Sequence, residues 1–227
     1  MSRTNLLIIL CVLSSLFYWY AGSEASVFKP YIKPELLDAL LIFQGKNFFK
    51  GYISAVITAL FIHADLTHLV GNMIFLFVFG NTLEKELGAK KVVAAFMVGG
   101  VSSFMAGILF YGMETMMLGA SAAIFTLTAI AMLTKPLKFS WLFFMPLGLV
   151  AIIYFLYNVA AVLYTAGGSI GYEAHIFGFL VGFPMGVRWS RGLWKRNLLI
   201  AVVLLIIYSV VVSFFSTGLV QLQVLSR

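Results

Sequence analysis

Near the middle of the chain a serine stands among small residues, Gly119-Ala120-Ser121-Ala122-Ala123-Ile124-Phe125, at the start of an apolar run. Two readings compete: a small or hydroxyl residue lets membrane helices pack closely, and a hydroxyl with a base beside it is a nucleophile. The candidate base is His175. His68 and Asn72 are spaced i, i+4, so they share one face of a helix, and both can donate hydrogen bonds to a developing oxyanion. A hydroxyl, an imidazole and two donors are the parts of a serine hydrolase. The third histidine, His63, is five residues from His68, a spacing that does not put two metal ligands on one helical face. The single cysteine, Cys11, allows neither an intramolecular disulfide nor a metal-thiolate cluster. No metal or cofactor is expected.

These groups must be positioned by helices in a membrane. Of 227 residues, 62% are hydrophobic and 10% charged, with a mean hydropathy of +1.04, more than a water-soluble core of this length requires. The apolar runs are continuous rather than alternating and suit a hydrocarbon core of about 30 Å, so the chain reads as an all-α polytopic membrane protein. A net charge of +7 does not mark a nucleic-acid partner, because the basic residues form short groups between apolar runs. They read as topology signals.

Spans are expected at about residues 5–21, 66–83, 92–111, 121–135, 140–164, 174–188 and 197–215. The first is long for a signal peptide and ends in Phe17-Tyr18-Trp19-Tyr20, an interfacial anchor, so a retained helix is preferred to a cleaved leader. Residues 22–51 read as a long loop carrying a short amphipathic surface helix between Leu36 and Phe43. The apolar stretch 52–62 is too short to span. Under seven spans, ten of the fifteen lysines and arginines share a face with Arg3, Lys85, Lys135 and Arg188, while Lys29, Lys33, Lys46, Lys50 and Arg227 lie on the other. That bias puts the amino terminus in the cytoplasm and the carboxy terminus outside. Residues 1–227 read as one membrane domain, with a core over about 5–190 and an additional helix at about 197–215.

Polar residues inside spans are costly and mark functional positions. Ser121 lies 14 residues before Lys135, Asn72 13 before Lys85 and His175 13 before Arg188. At about 1.5 Å per residue, three spans present these groups in one layer about 20 Å above the cytoplasmic boundary. The serine helix, about 21 Å long, is too short to span alone. The loop before it must therefore dip inward, where irregular backbone needs cover by protein or a watery cavity. At the amino end of that helix, Ser121 suits both a helix cap and an oxyanion site. His175 precedes Gly178, Gly182 and Gly186, a bare stripe along which another helix can approach. Phe125, one turn after Ser121, either packs on the imidazole or is an ordinary core aromatic.

With these residues assembled, the chain resembles the rhomboid family of intramembrane serine proteases over about residues 58–186. The matching motifs are His63-x4-His68-x3-Asn72, Gly80-x3-Glu84-x3-Gly88, Gly119-x-Ser121 and Ala174-His175-x2-Gly178. The resemblance implies a six-helix core, here with a seventh C-terminal transmembrane helix, and a catalytic dyad of Ser121 and His175. It also implies an oxyanion hole made by the Ser121 N–H, His68 and Asn72. His63 becomes a supporting residue near the mouth of the site; Gly119, Phe125 and Gly178 support it as well, and Glu84 is a structural group that bonds loop elements. Glu173 projects from a different face than His175, so no acid is expected to orient the base.

Two departures from the family pattern stand out. Ala122 replaces the glycine usual directly after the serine and adds a methyl where helices abut, and Ser54-Ala55 stand where a tryptophan-arginine pair is common. The expected activity is endoproteolysis of transmembrane protein substrates near the outer leaflet of the cell membrane. Partners would be those substrates and the lipid bilayer, with no nucleic acid and no metal. The alternatives are an inactive rhomboid-like protein that binds membrane clients, which Ala122 keeps open, and a transporter or channel, whose polar residues would run along a whole pathway.

Overall fold

The computed structural model describes residues 1–164 and 171–225, with side chains as far as residue 216. Arg227, which enters the charge count above, lies outside the described residues. The chain runs through α1 (Arg3–Ala21), α2 (Pro34–Leu41), β1 (Phe43–Gln44), α3 (Leu66–Leu87), α4 (Ala89–Tyr111), β2 (Met116–Met117) and α5 (Ser121–Thr134). It continues through β3 (Phe139–Ser140), β4 (Met145–Pro146), α6 (Leu147–Tyr164), α7 (Tyr172–Trp189) and α8 (Trp194–Leu225). Among the described residues, α1, α3, α4, α6 and the Trp194–Ser216 part of α8 are long and apolar enough to cross a membrane. The protein is an all-α, multi-pass membrane protein with six core helices, α1 and α3 to α7, and α8 as a seventh.

The serine helix α5 is the hub. Every residue from Ala122 to Leu133 is buried, and a helix apolar on all sides is stable only when enclosed. Its closest neighbour is α7. A Cβ on Gly178 would run into the Ala122 carbonyl oxygen, and one on Gly182 into the Thr126 carbonyl oxygen. Thr126 Oγ1 uses this proximity to donate to the Gly178 carbonyl at 2.7 Å. The glycine stripe thus brings two backbones together, as its spacing implies. At the far end, Asn197 of α8 donates from Nδ2 to the Leu133 carbonyl at 2.8 Å, satisfying an otherwise orphaned helix-end acceptor.

Helix α1 belongs to this core: Thr4, Leu7, Cys11 and Ser15 are buried along one face. Its first turn is held by Glu84, which accepts from the Arg3 N–H, the Thr4 N–H and Thr4 Oγ1, each at 2.7 Å. A carboxylate there meets unpaired N–H groups at the positive end of the helix dipole. Glu84 is therefore structural, but it binds a helix start rather than loop elements. In the same helix, α3, the turns widen to a π segment over Leu76–Gly80, where Gly80 lies against the Thr4 side chain.

Charged ends of different helices meet at the side bearing Arg3. Lys135 pairs with Glu86 at 2.7 Å, and the Lys91 ammonium lies 5.5 Å from the Trp189 ring centroid. At the opposite end, Lys46 pairs with Glu114 at 3.0 Å and β1 pairs antiparallel with β2. The long first loop is thereby tied to the segment leading to Ser121. The predicted surface helix is present as α2.

One boundary differs from expectation by most of a helical turn pair. The fifth span begins at Leu147, not near Ser140, because Phe139–Ser140 and Met145–Pro146 form a hairpin. Pro146 drives the preceding residue toward extended backbone, and Phe144 has a positive φ of 53°. Trp141, Leu142 and Phe144 are exposed there, apolar groups suited to a membrane interface. The last helix is also longer than predicted, beginning at Trp194 and continuing to Leu225.

The close approach of α5 and α7 is open to test. Gly178→Ala should lower the thermal unfolding temperature in detergent by several degrees, corresponding to about 1–3 kcal/mol. Gly71→Ala is the control, since its Cβ meets nothing within 4 Å among the described residues, and it should be neutral or slightly stabilising. Equal effects of the two would show that backbone contact at Gly178 does not limit stability.

Candidate active site

Ser121 is the first residue of α5, and Ala120 occupies the N-cap position. The serine side chain is thus not the cap of its own helix. Its Oγ lies 2.8 Å from His175 Nε2, so the pair proposed from sequence is brought into hydrogen-bonding contact with Ala122 in place. A hydroxyl at this distance from an imidazole nitrogen can lose its proton to the ring as it attacks an electrophile. The imidazole is stacked on Phe125, with ring centroids 4.7 Å apart and planes at 10°. Phe125 in turn stacks on Tyr154 (4.4 Å), which stacks on Phe75 (4.5 Å). Of the two readings of Phe125, ring packing on the base is the one the structure has.

The segment entering the site is pinned from three sides. Gly119 has a φ of 109° and its N–H donates to the Ala59 carbonyl at 2.9 Å. A Cβ at Gly119 would lie 2.8 Å from His68 Cε1, so glycine is required both by the backbone conformation and by the ring against it. The Ala120 N–H points to His63 Nε2 at 3.4 Å. Since that nitrogen accepts, His63 carries its proton on Nδ1, which lies 3.2 Å from Ser15 Oγ. Ser15 Oγ also accepts from the His63 N–H at 3.1 Å and donates to the Phe61 carbonyl at 3.3 Å. Trp19 Nε1 donates to the His63 carbonyl at 2.8 Å.

His63 therefore links α1 to the serine loop. It is fully buried, which corrects its expected place near the mouth: two ring nitrogens with protein partners leave it no outward face. His63 and His68 rings stand 5.0 Å apart at 74°, an edge contact with both His63 nitrogens already engaged.

His68 lies in the first turn of α3, where its N–H donates to Asp65 Oδ1 at 2.8 Å. Asp65 is the N-cap of that helix, a role legible from an aspartate before an apolar run. Asn72 is buried one turn on and donates one amide proton to the His68 carbonyl at 3.1 Å. The His68 ring lies beside the segment that enters α5, with Nε2 3.0 Å from where a Gly119 Cβ would stand. Gly178 supports the site by admitting the Ala122 carbonyl, as described above.

Glu173 does not orient His175. It accepts from Tyr111 Oη at 2.7 Å, and the same Oη accepts from the Ala174 N–H at 3.1 Å, which fastens the start of α7 to the end of α4. The orienting group that sequence reasoning missed is Asn158 of α6, whose Oδ1 lies 2.8 Å from His175 Nδ1. An asparagine within an otherwise apolar span was the available signal. Ser15, a hydroxyl inside the first span, was missed in the same way.

The Rhomboid domain family matches residues 50–192. A relative from Arabidopsis thaliana, RHOMBOID-like protein 6, mitochondrial, is 33% identical over 153 residues, covering 66% of this chain and 46% of that protein. Rhomboid-like protein 11, chloroplastic, from the same plant is 34% identical over 85 residues, covering 37% of this chain and 30% of the relative. Rhomboid-like protease 1 from Toxoplasma gondii is 23% identical over 159 residues, covering 68% of this chain and 54% of the relative. The chain spans about half the length, or less, of these curated relatives. With a family match over more than half its length, the chain belongs to the rhomboid family.

Proposed function

We propose that the protein is an intramembrane serine endopeptidase that cuts transmembrane segments of membrane proteins. The observation that carries this reading is the 2.8 Å contact between Ser121 Oγ and His175 Nε2 inside a bundle of membrane helices. In the proposed reaction His175 Nε2 takes the serine proton as Oγ attacks the scissile carbonyl. The oxyanion of the tetrahedral intermediate is stabilised by the Ser121 N–H at the positive end of α5, by His68 and by Asn72. The imidazolium then protonates the leaving amine, leaving an ester on Ser121. Water, deprotonated by the same nitrogen, attacks that ester, and Nε2 returns the proton to Ser121 Oγ as the acid is released.

Substrates that fit are membrane helices able to unwind locally, with small residues at the cleaved bond. The reaction is placed near the outer leaflet of the cell membrane, with the amino terminus cytoplasmic, in keeping with the lysine and arginine bias. Two plant relatives carry organellar names, so compartment is part of the proposal. Residues 1–227 are proposed to act as one membrane domain, with α8 an addition to the catalytic core.

Purified protein with a labelled transmembrane substrate tests the chemistry. Ser121→Ala and His175→Ala should each reduce cleavage by about a thousandfold or more. If the wild type binds such a substrate without cutting it, the protein is instead a client-holding member of the family. His68→Ala and Asn72→Ala should each lower kcat by about a hundredfold, the loss expected of one oxyanion donor; unchanged kcat in both would remove them from the reaction. Orientation is read by an impermeant maleimide on intact cells, where Lys29→Cys should label and Lys138→Cys should stay protected until lysis. The reverse pattern would invert the topology.

A further inference from the structure

His175 is held at three places: Ser121 at Nε2, Phe125 against the ring face, and Asn158 at Nδ1. An asparagine amide can offer either an acceptor or a donor to an imidazole, and the two choices have opposite consequences for the base. If the amide nitrogen faced Nδ1, the ring would carry its proton on Nε2 and could not accept one from serine. What selects the end is the second contact of Asn158. Its Nδ2 donates to the Tyr154 carbonyl at 2.8 Å, one turn back on the same helix.

With the nitrogen committed to a carbonyl, Oδ1 is the atom left for the histidine. Oδ1 accepts only, so Nδ1 carries the hydrogen and Nε2 presents its lone pair to Ser121 Oγ. Which nitrogen of a histidine is protonated follows from the hydrogen bond made by the other. Asn158 is 1% exposed, so water does not compete for Oδ1. In the serine protease triad the same site is held by aspartate, and an asparagine there imposes the wrong tautomer at a large cost in kcat. Here the asparagine is turned the useful way by its own helix.

Resting on the reading of Ser121 and His175 as nucleophile and base, we propose that Asn158 is a positioning residue that fixes His175 in the Nδ1–H tautomer through an amide oriented by the Tyr154 carbonyl. The proton taken from Ser121 goes to Nε2 while Oδ1 keeps its bond to Nδ1–H, and it returns from Nε2 to the leaving amine. Asn158 neither gains nor loses a proton. The same helix also supplies Tyr154 to the aromatic stack under the ring, so both the edge and the support of the imidazole depend on α6 being docked.

The test uses the full chain in detergent micelles or bilayers with 15N in the histidine rings, the His175 signals being identified by their loss in His175→Ala. In the wild type, His175 should show a protonated Nδ1 and a bare Nε2, and in Asn158→Leu both tautomers should appear. Kinetically, Asn158→Leu should lower kcat about ten- to a hundredfold with KM changed by less than about twofold. Asn158→Asp, which keeps an oxygen acceptor, should retain most of the activity. A wild-type ring protonated on Nε2, or an Asn158→Leu spectrum identical to wild type, overturns the proposal. Equal loss of kcat in the leucine and aspartate variants with no change of tautomer also overturns it, since that pattern means structure alone. Should the wild type fail to cut any substrate, the protease reading falls while the ring spectrum still decides the tautomer.

Discussion

The contact between the serine and histidine helices is the constraint from which most of this architecture follows. Two helices can bring a short hydroxyl and an imidazole to 2.8 Å only if their backbones nearly touch, and side chains of ordinary size forbid that. Gly178 and Gly182 remove the obstacle on one helix, so that carbonyl oxygens of Ala122 and Thr126 occupy the space a Cβ would need. Membrane helices gain little from burying apolar surface against each other, so close packing and interhelical hydrogen bonds carry the association. The Thr126 bond to the Gly178 carbonyl is of this kind. Ala122 adds its methyl without displacing the dyad, because the atom nearest the glycine is its carbonyl and not its side chain.

A second consequence is that the serine helix must be completely surrounded. It is too short and too uniformly apolar to face water, and its amino end carries Ser121. The segment leading to it is therefore held by groups from distant parts of the chain: the Ala59 carbonyl, His63 and the β1–β2 pair. His63 is buttressed in turn by Ser15 and Trp19 of α1, and the start of α1 is capped by Glu84 of α3. The first helix is thus tied by hydrogen bonds near both ends, and the set near its carboxy end reaches Ala120, the residue before Ser121. These polar contacts sit where unpaired groups would be costly, and those of Glu84 satisfy N–H groups that a helix start leaves open.

The imidazole needs more than proximity to serve as a base. Its plane is set by the Phe125–Tyr154–Phe75 column and its protonated edge by Asn158. Three different helices contribute to that seat, so the histidine's orientation is a property of the assembled bundle rather than of α7.

Much was legible in the linear chain because the membrane imposes simple rules. Continuous apolar runs of span length fixed the class, and polar residues inside them were few enough to stand out, with Ser121, His175 and Asn72 at matching depth. The glycine spacing on α7 announced a close neighbour. Other features resisted. The hairpin before α6 hid inside an apolar run because Trp141 to Phe144 look helical until Pro146 is weighed. Ser15 was one of two adjacent serines in its span, and a lone asparagine such as Asn158 does not say which side chain it faces. His63 read as a mouth residue from the family resemblance, and a motif position does not report what covers a side chain. The sequence alone determined the fold class and the family, since these follow from composition and local motif. Only the tertiary structure decided how His175 is oriented and what pins the serine loop, because both depend on contacts between residues far apart in the chain, such as Asn158 with His175 and His63 with Ala120, which no local rule relates.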